Sequence, residues 1–255
     1  MSLERQAAPA PEPAQPGGGT SEPSTGNHRL QILTTEHWSL LATRSMTWNE
    51  SFSRASMFLS VLSGAIVALA LVAQAADFRG SFLAFAIPLL SVVLFVGVAT
   101  FGRLSSINNE DSLWVTGMNR IRHAYLEIDP TLERYFVTGT TDDLRGALLT
   151  AGMFAESPTA FSPRALAHGM TTMPGMLAVI VGVVGGALAS LIALAIGTSE
   201  TVALVFGIVG FIVVFGGLSV TGYRMFASLE RVLKPEFPTP ARDDRQGKPE
   251  SGQLA

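Results

Sequence analysis

Four uncharged apolar runs dominate the chain, at residues 55–76, 81–101, 173–198 and 201–222. Each is long enough to cross roughly 30 Å of hydrocarbon as a helix rising about 1.5 Å per residue. The last run holds thirteen Leu, Ile, Val or Phe residues, which at about 0.3–0.6 kcal/mol each favours insertion by roughly 4–8 kcal/mol. Only Asp77, Phe78, Arg79 and Gly80 separate the first two runs, and Gly197, Thr198, Ser199 and Glu200 form the equally tight link between the last two. Links this short make neighbouring helices antiparallel, so the pattern predicts two transmembrane hairpins.

The helical rhythm continues beyond the apolar runs. Trp38, Leu41, Trp48 and Phe52 recur at spacings of three, seven and four, which places them on one helical face. They predict a first helix over residues 35–76, with Thr34 or Thr35 as N-cap and Glu36 near the positive end of the dipole. Ile107, Trp114, Met118, Ile121, Tyr125 and Ile128 carry the second span on to about residue 128, where Asp129-Pro130 ends it. Pro88 is expected to kink that span. Tyr223, Phe226, Leu229 and Leu233 extend the fourth span to Lys234-Pro235. Extensions this apolar on one face do not stay single. The fold expected is therefore an all-α integral membrane protein: four transmembrane helices as two antiparallel hairpins, with helical extensions forming a cytoplasmic juxtamembrane bundle.

Between the hairpins the signals are shorter. Residues 130–137 read as a short helix with proline in its first turn, 138–140 as a turn, 142–150 as another helix and 152–174 as a loop. Residues 1–29 hold five prolines and four glycines, and 235–255 are charged and proline-bearing; both are expected to be disordered tails.

Composition agrees with this division. Of 255 residues, 48% are apolar and 15% charged, too greasy and too sparsely charged for an ordinary soluble domain. The first apolar run begins some fifty residues in and lacks a basic segment directly at the N-terminus, which reads as a retained span rather than a cleaved signal peptide. No cysteine is present and the net charge is −3, so disulfides, thiolate metal sites and a general nucleic-acid role are not expected. Sixteen of the seventeen basic residues lie outside the two short links. Near the spans the bias rests on Arg44, Arg54, Arg103, Arg164 and Arg224, which by the positive-inside rule puts both termini and the middle segment in the cytoplasm. Fifteen of those basic residues are Arg and two are Lys; with abundant Ala and Gly, this points to a bacterial chain and hence to the inner membrane.

The most regular polar pattern is Asn49, Ser53, Ser56, Ser60 and Ser63, spaced four, three, four and three and continued by Val67, Ala70 and Gln74. Lipid offers hydroxyls no partner, so the stripe is expected to face protein or water. Close helix packing is the plain reading and a pore lining the sharper one. Gly182, Gly186 and Ser190 in the third span, and Gly207, Gly210 and Gly217 in the fourth, form small-residue seams of the kind that let helices approach closely. No Asp, Glu, Lys, Arg or His lies inside a span, which argues against proton relays and voltage sensing. His123 and Glu127 stand one helical turn apart, but two ligands without a convergent third make a weak metal signal. No phosphate loop, zinc-protease motif or nucleophile elbow occurs, and no catalytic, cofactor or metal residue is expected.

The function expected is that of a non-enzymatic membrane scaffold that self-associates and presents a cytoplasmic bundle, led by Trp38, Trp48, Trp114 and Tyr125, to a protein partner. The rival is a small oligomeric channel lined by the serine stripe. A third reading is a membrane-interface enzyme using Glu110, Asp111, His123 and Glu127.

Overall fold

The computed structural model describes residues 25–75, 80–151, 170–232 and 234–240. Every regular element among them is helical: α1 (Thr25–Ala75), α2 (Gly80–Ile128), a 3-10 helix (Pro130–Tyr135), α3 (Leu144–Thr150), α4 (Met173–Ala195) and α5 (Glu200–Val232). α1, α2, α4 and α5 are long and apolar enough to cross a membrane. Four such helices define a multi-pass membrane protein.

α1 is longer than expected. Thr34 and Thr35 lie inside it, and the Thr35 hydroxyl donates to the carbonyl of Gln31 at 2.9 Å, so neither is the N-cap. Residues 27–34 contain no proline or glycine to break the helix, and Arg29 pairs with Glu127 of α2. The disordered tail expected up to residue 29 therefore does not include residues 25–29, which are helical. α2 runs through Pro88 as one helix and stops at Asp129, whose side chain caps the 3-10 helix by accepting from the Thr131 N–H. Asp143 caps α3 in the same way, accepting from the Gly146 N–H. Residues 76–79 and 152–169 lie outside the described residues, and with them most of the first short link, most of the 152–174 loop, Arg164 and His168.

α1 and α2 pair in opposite directions, Arg29 with Glu127, Arg44 with Asp111 and Glu50 with Arg103. Deeper along the pair, a Cβ on Gly97 would sit 2.7 Å from Val181 and 3.0 Å from the ring of Phe58. Only glycine lets three helices meet there. Phe58, Val93, Phe101, Leu104, Val181, Val184, Leu188 and Leu218 form the core around that crossing. α4 and α5 are joined by residues 196–199, where Gly197 takes a left-handed φ of 84° and its N–H closes on the carbonyl of Leu194, an ending that favours glycine.

Candidate functional site at the polar end of the helices

A belt of ion pairs joins α1 to α2 where their apolar runs stop. Glu50, five residues before the first run, accepts from Nε and Nη2 of Arg103, both at 2.9 Å, and from Nε of Arg54 at 2.8 Å. Arg103 also donates to Glu110 at 2.8 Å. Farther along, Arg44 grips Asp111 through two bonds of 2.7 and 3.2 Å. Hydrogen bonds from Arg103 and then Arg54 hold the Glu50 carboxyl at a pKa of about 2. Forked arginine–carboxylate geometry makes these directional contacts that fix the register of α1 on α2.

Beyond the belt, the fully buried Asn119 of α2 is a hub. Its amide donates to the carbonyl of Thr141 at 2.9 Å, and its oxygen accepts from Arg122 and Thr150, each at 2.8 Å. Burial and the nearby Arg44 guanidinium lower the pKa of Arg122. His37 of α1, lowered by burial and by Arg122, stacks on Tyr125 with ring centres 5.9 Å apart. The segment held by Asn119 is a tight backbone crossing. A Cβ on Gly139 would meet the Gly146 carbonyl oxygen at 2.3 Å, and one on Gly146 would meet that of Thr141 at 2.0 Å.

Residues 234–240 dock onto this crossing as a strap that bends at Glu236 and Phe237, which corrects the expectation of disorder for residues 235–240; residues 241–255 lie outside the described residues. Asp142 accepts from the backbone N–H groups of Glu236 and Phe237, both at 2.8 Å, and from Nε of Arg120 at 2.8 Å. Asp143 accepts from the Thr239 N–H at 3.0 Å. Arg120 reaches the Lys234 carbonyl, the Thr141 and Thr239 hydroxyls lie 3.1 Å apart, and the Phe237 ring stacks on His123 at 4.1 Å. Burial raises the pKa of both aspartates, but the N–H groups they accept from, helped at Asp142 by Arg120, more than offset it, leaving both below the ordinary value. A Thr-Asp-Asp run at 141–143 and a segment with proline at 235, 238 and 240 were the available sequence signals; nothing in either alone links them across 94 residues of chain.

The residues singled out by spacing fall into three groups. Met118 and Ile121 of α2 are buried, Trp114 and Tyr125 partly so, and these four face the interior of the helix cluster. Trp38, Leu41, Trp48 and Phe52 of α1 are exposed, Trp38 by 68%, so no described residue of their own chain covers them. Asn49, Ser53, Ser56, Ser60, Ser63 and Gln74 are also exposed; Ser60 donates to the carbonyl of Ser56 at 2.9 Å. No described residue of the same chain covers this stripe. The glycine seams come together between α4 and α5. Gly182 faces Phe211 and Phe215, Gly186 lies against Gly207 and Phe211, and Gly207 lies against Ser190. Gly210 packs on Ala189 and on Gly185, which the four-residue spacing missed, while Gly217 has open space beside it.

Among the described residues no three His, Cys, Asp or Glu converge as a metal site. Glu110, Asp111 and Glu127 are each held by a different arginine, and His123 lies under Phe237. No family model, curated protein or solved structure matches the chain.

Proposed function

We propose that this protein is a non-enzymatic, self-associating scaffold of the bacterial inner membrane. In this reading the two helix pairs are transmembrane hairpins, the ion-pair belt marks the cytoplasmic membrane surface, and the helical extensions form a juxtamembrane bundle offered to a protein partner. Arg44, Arg54, Arg103 and Arg224 beside the spans support that orientation.

The observation that carries the proposal is one face of α1 that no described residue covers. At about 100° per residue, Trp38, Leu41, Trp48, Phe52, Asn49 and the serines through Gln74 fall within an arc of about 140°. All are exposed, and the charged residues of this stretch, Arg44, Glu50 and Arg54, lie outside the arc. α5 exposes aliphatic groups such as Leu204, Ile208 and Ile212, which suit acyl chains. The α1 face suits neither of its surroundings, because water disfavours its aromatic half and hydrocarbon leaves its hydroxyls without partners. A second copy related by a two-fold axis along the membrane normal answers both halves at once. The enzyme reading is disfavoured because Glu110, Asp111, His123 and Glu127 are tied to four separate partners.

The channel reading draws on the same exposed serines, which a ring of copies would turn towards a central path. Mass measurement of the detergent-purified protein, with flux measured in liposomes, separates the two. The scaffold reading expects a dimer or small oligomer that Trp48→Glu or Ser60→Leu shifts towards monomer, with no flux. A wild-type monomer would remove self-association, and flux abolished by Ser60→Leu in an intact oligomer would establish the channel instead.

A further inference from the structure

We propose that Asp142, Asp143, Arg120 and His123 form a docking site for a proline-punctuated peptide segment, and that residues 234–240 are its resident, displaceable ligand. Lys234 to Pro240 reads Lys-Pro-Glu-Phe-Pro-Thr-Pro. From residue 235 on, the prolines leave three backbone N–H groups, those of Glu236, Phe237 and Thr239. All three donate to the paired carboxylates, two to Asp142 and one to Asp143. The prolines fall where the site offers no acceptor, so the pattern of donors along the segment matches the pattern of carboxylate oxygens. The Asp142 N–H returns a bond to the Phe237 carbonyl at 3.3 Å, and Arg120 engages both a carboxylate of the site and the carbonyl of Lys234.

Recognition is therefore of backbone polarity and proline spacing, with two side-chain determinants, the Phe237 ring on His123 and the Thr239 hydroxyl beside that of Thr141. Proline-containing segments are suited to this because each proline fixes its own φ, so less conformational freedom is lost on docking. The strap is also built to leave. Lys234, Pro235, Glu236, Pro238 and Pro240 are exposed, and among the described residues the buried core cluster takes none of its side chains. Release would free the end of α5 from the α2–α3 junction and open the site to another segment of the same chemistry.

The test uses the full-length protein in lipid nanodiscs and follows hydrogen exchange of residues 234–240. The expected result is that exchange of the Glu236, Phe237 and Thr239 amides is slowed at least about tenfold relative to the free peptide Lys-Pro-Glu-Phe-Pro-Thr-Pro, and that Asp142→Ala removes the protection. Millimolar free peptide should also remove it, whereas the same peptide with alanine for phenylalanine should not. Because the chain has no cysteine, the double variant T141C/T239C supplies a second measurement: oxidation should give an internal disulfide without covalent dimer. Unprotected amides in the wild type would overturn the docking. Protection that Asp142→Ala removes but excess peptide leaves unchanged would make the strap a fixed tether and overturn its displacement. Disulfide-linked dimer as the main product would place the strap on a second copy and overturn the resident arrangement.

Discussion

Glu50 carries more of the interhelical register than its position at the edge of an apolar run suggests. Its carboxyl takes three bonds from two arginines and is held at about 2 instead of the ordinary 4.5. A depressed carboxyl stabilises the fold above its unfolded pKa, and that contribution disappears as pH falls through the folded value. The expected outcome is that Glu50→Gln melts below wild type at pH 7 and that the two melting temperatures converge between pH 4.5 and about 2. A gap that stays constant over that range would show that the ion pairs are not its source. The sequence shows Glu50, Arg103 and Glu110 as charges next to spans, but not as partners. Pairing across 53 residues depends on the angle at which α1 crosses α2, which no local spacing encodes. Asn119 is less legible still: on a helical face of mixed polarity it reads as a solvated amide, and its burial follows from the Gly139–Gly146 crossing folding back over it.

Among the helices, α4 and α5 show how small residues set an interaxial distance. A side chain at Gly186 would drive its Cβ to 2.7 Å from the carbonyl oxygen of Gly207, a backbone atom that cannot swing aside. Gly186→Leu should therefore push the two helices apart, at a cost of about 1–3 kcal/mol or more, seen as a lower melting temperature in detergent. Gly217→Leu, placed where nothing lies within 4 Å, should melt with the wild type and serves as the internal control. Equal loss in both variants would mean that leucine in α5 or α4 is harmful for reasons unrelated to the seam. Helical spacing identified Gly182, Gly186, Gly207 and Gly210 as small positions. It gave no means of separating them from Gly217, because which positions of one helix meet the other depends on how the two pack, which spacing along one helix does not encode. The long helices were legible for the opposite reason. Apolar length and uninterrupted periodicity are properties of each segment alone, and the only boundary badly placed, the start of α1, is one where no proline or glycine marks the stop.

For the whole molecule, the charge distribution and the contacts concern the same end. The belt, the Asn119 hub and the strap all lie beyond the apolar runs, so a reporter fused after Gly139 tests the orientation of all of them together. It should report cytoplasm; a periplasmic signal would invert the proposed topology while leaving the helix packing untouched. The strap was the largest departure from the sequence reading, since seven residues rich in proline carry the composition of a disordered tail. Composition measures how little a segment can bury. It does not register a segment whose ordering depends on backbone N–H groups meeting carboxylates elsewhere in the chain.

The length of α1 has a mechanical consequence. From Arg54 near the start of the first apolar run back to Thr25 is about 43 Å of unbroken helix, longer than the hydrocarbon thickness it joins. A tilt of about 10° at the membrane surface would carry its far end through about 7 Å, a full helical turn's worth of travel. Arg29 and Arg44, clamped to Glu127 and Asp111 of α2, resist that swing. A rotation of α1 alone would have to break both clamps, so the pair is braced to move as one body.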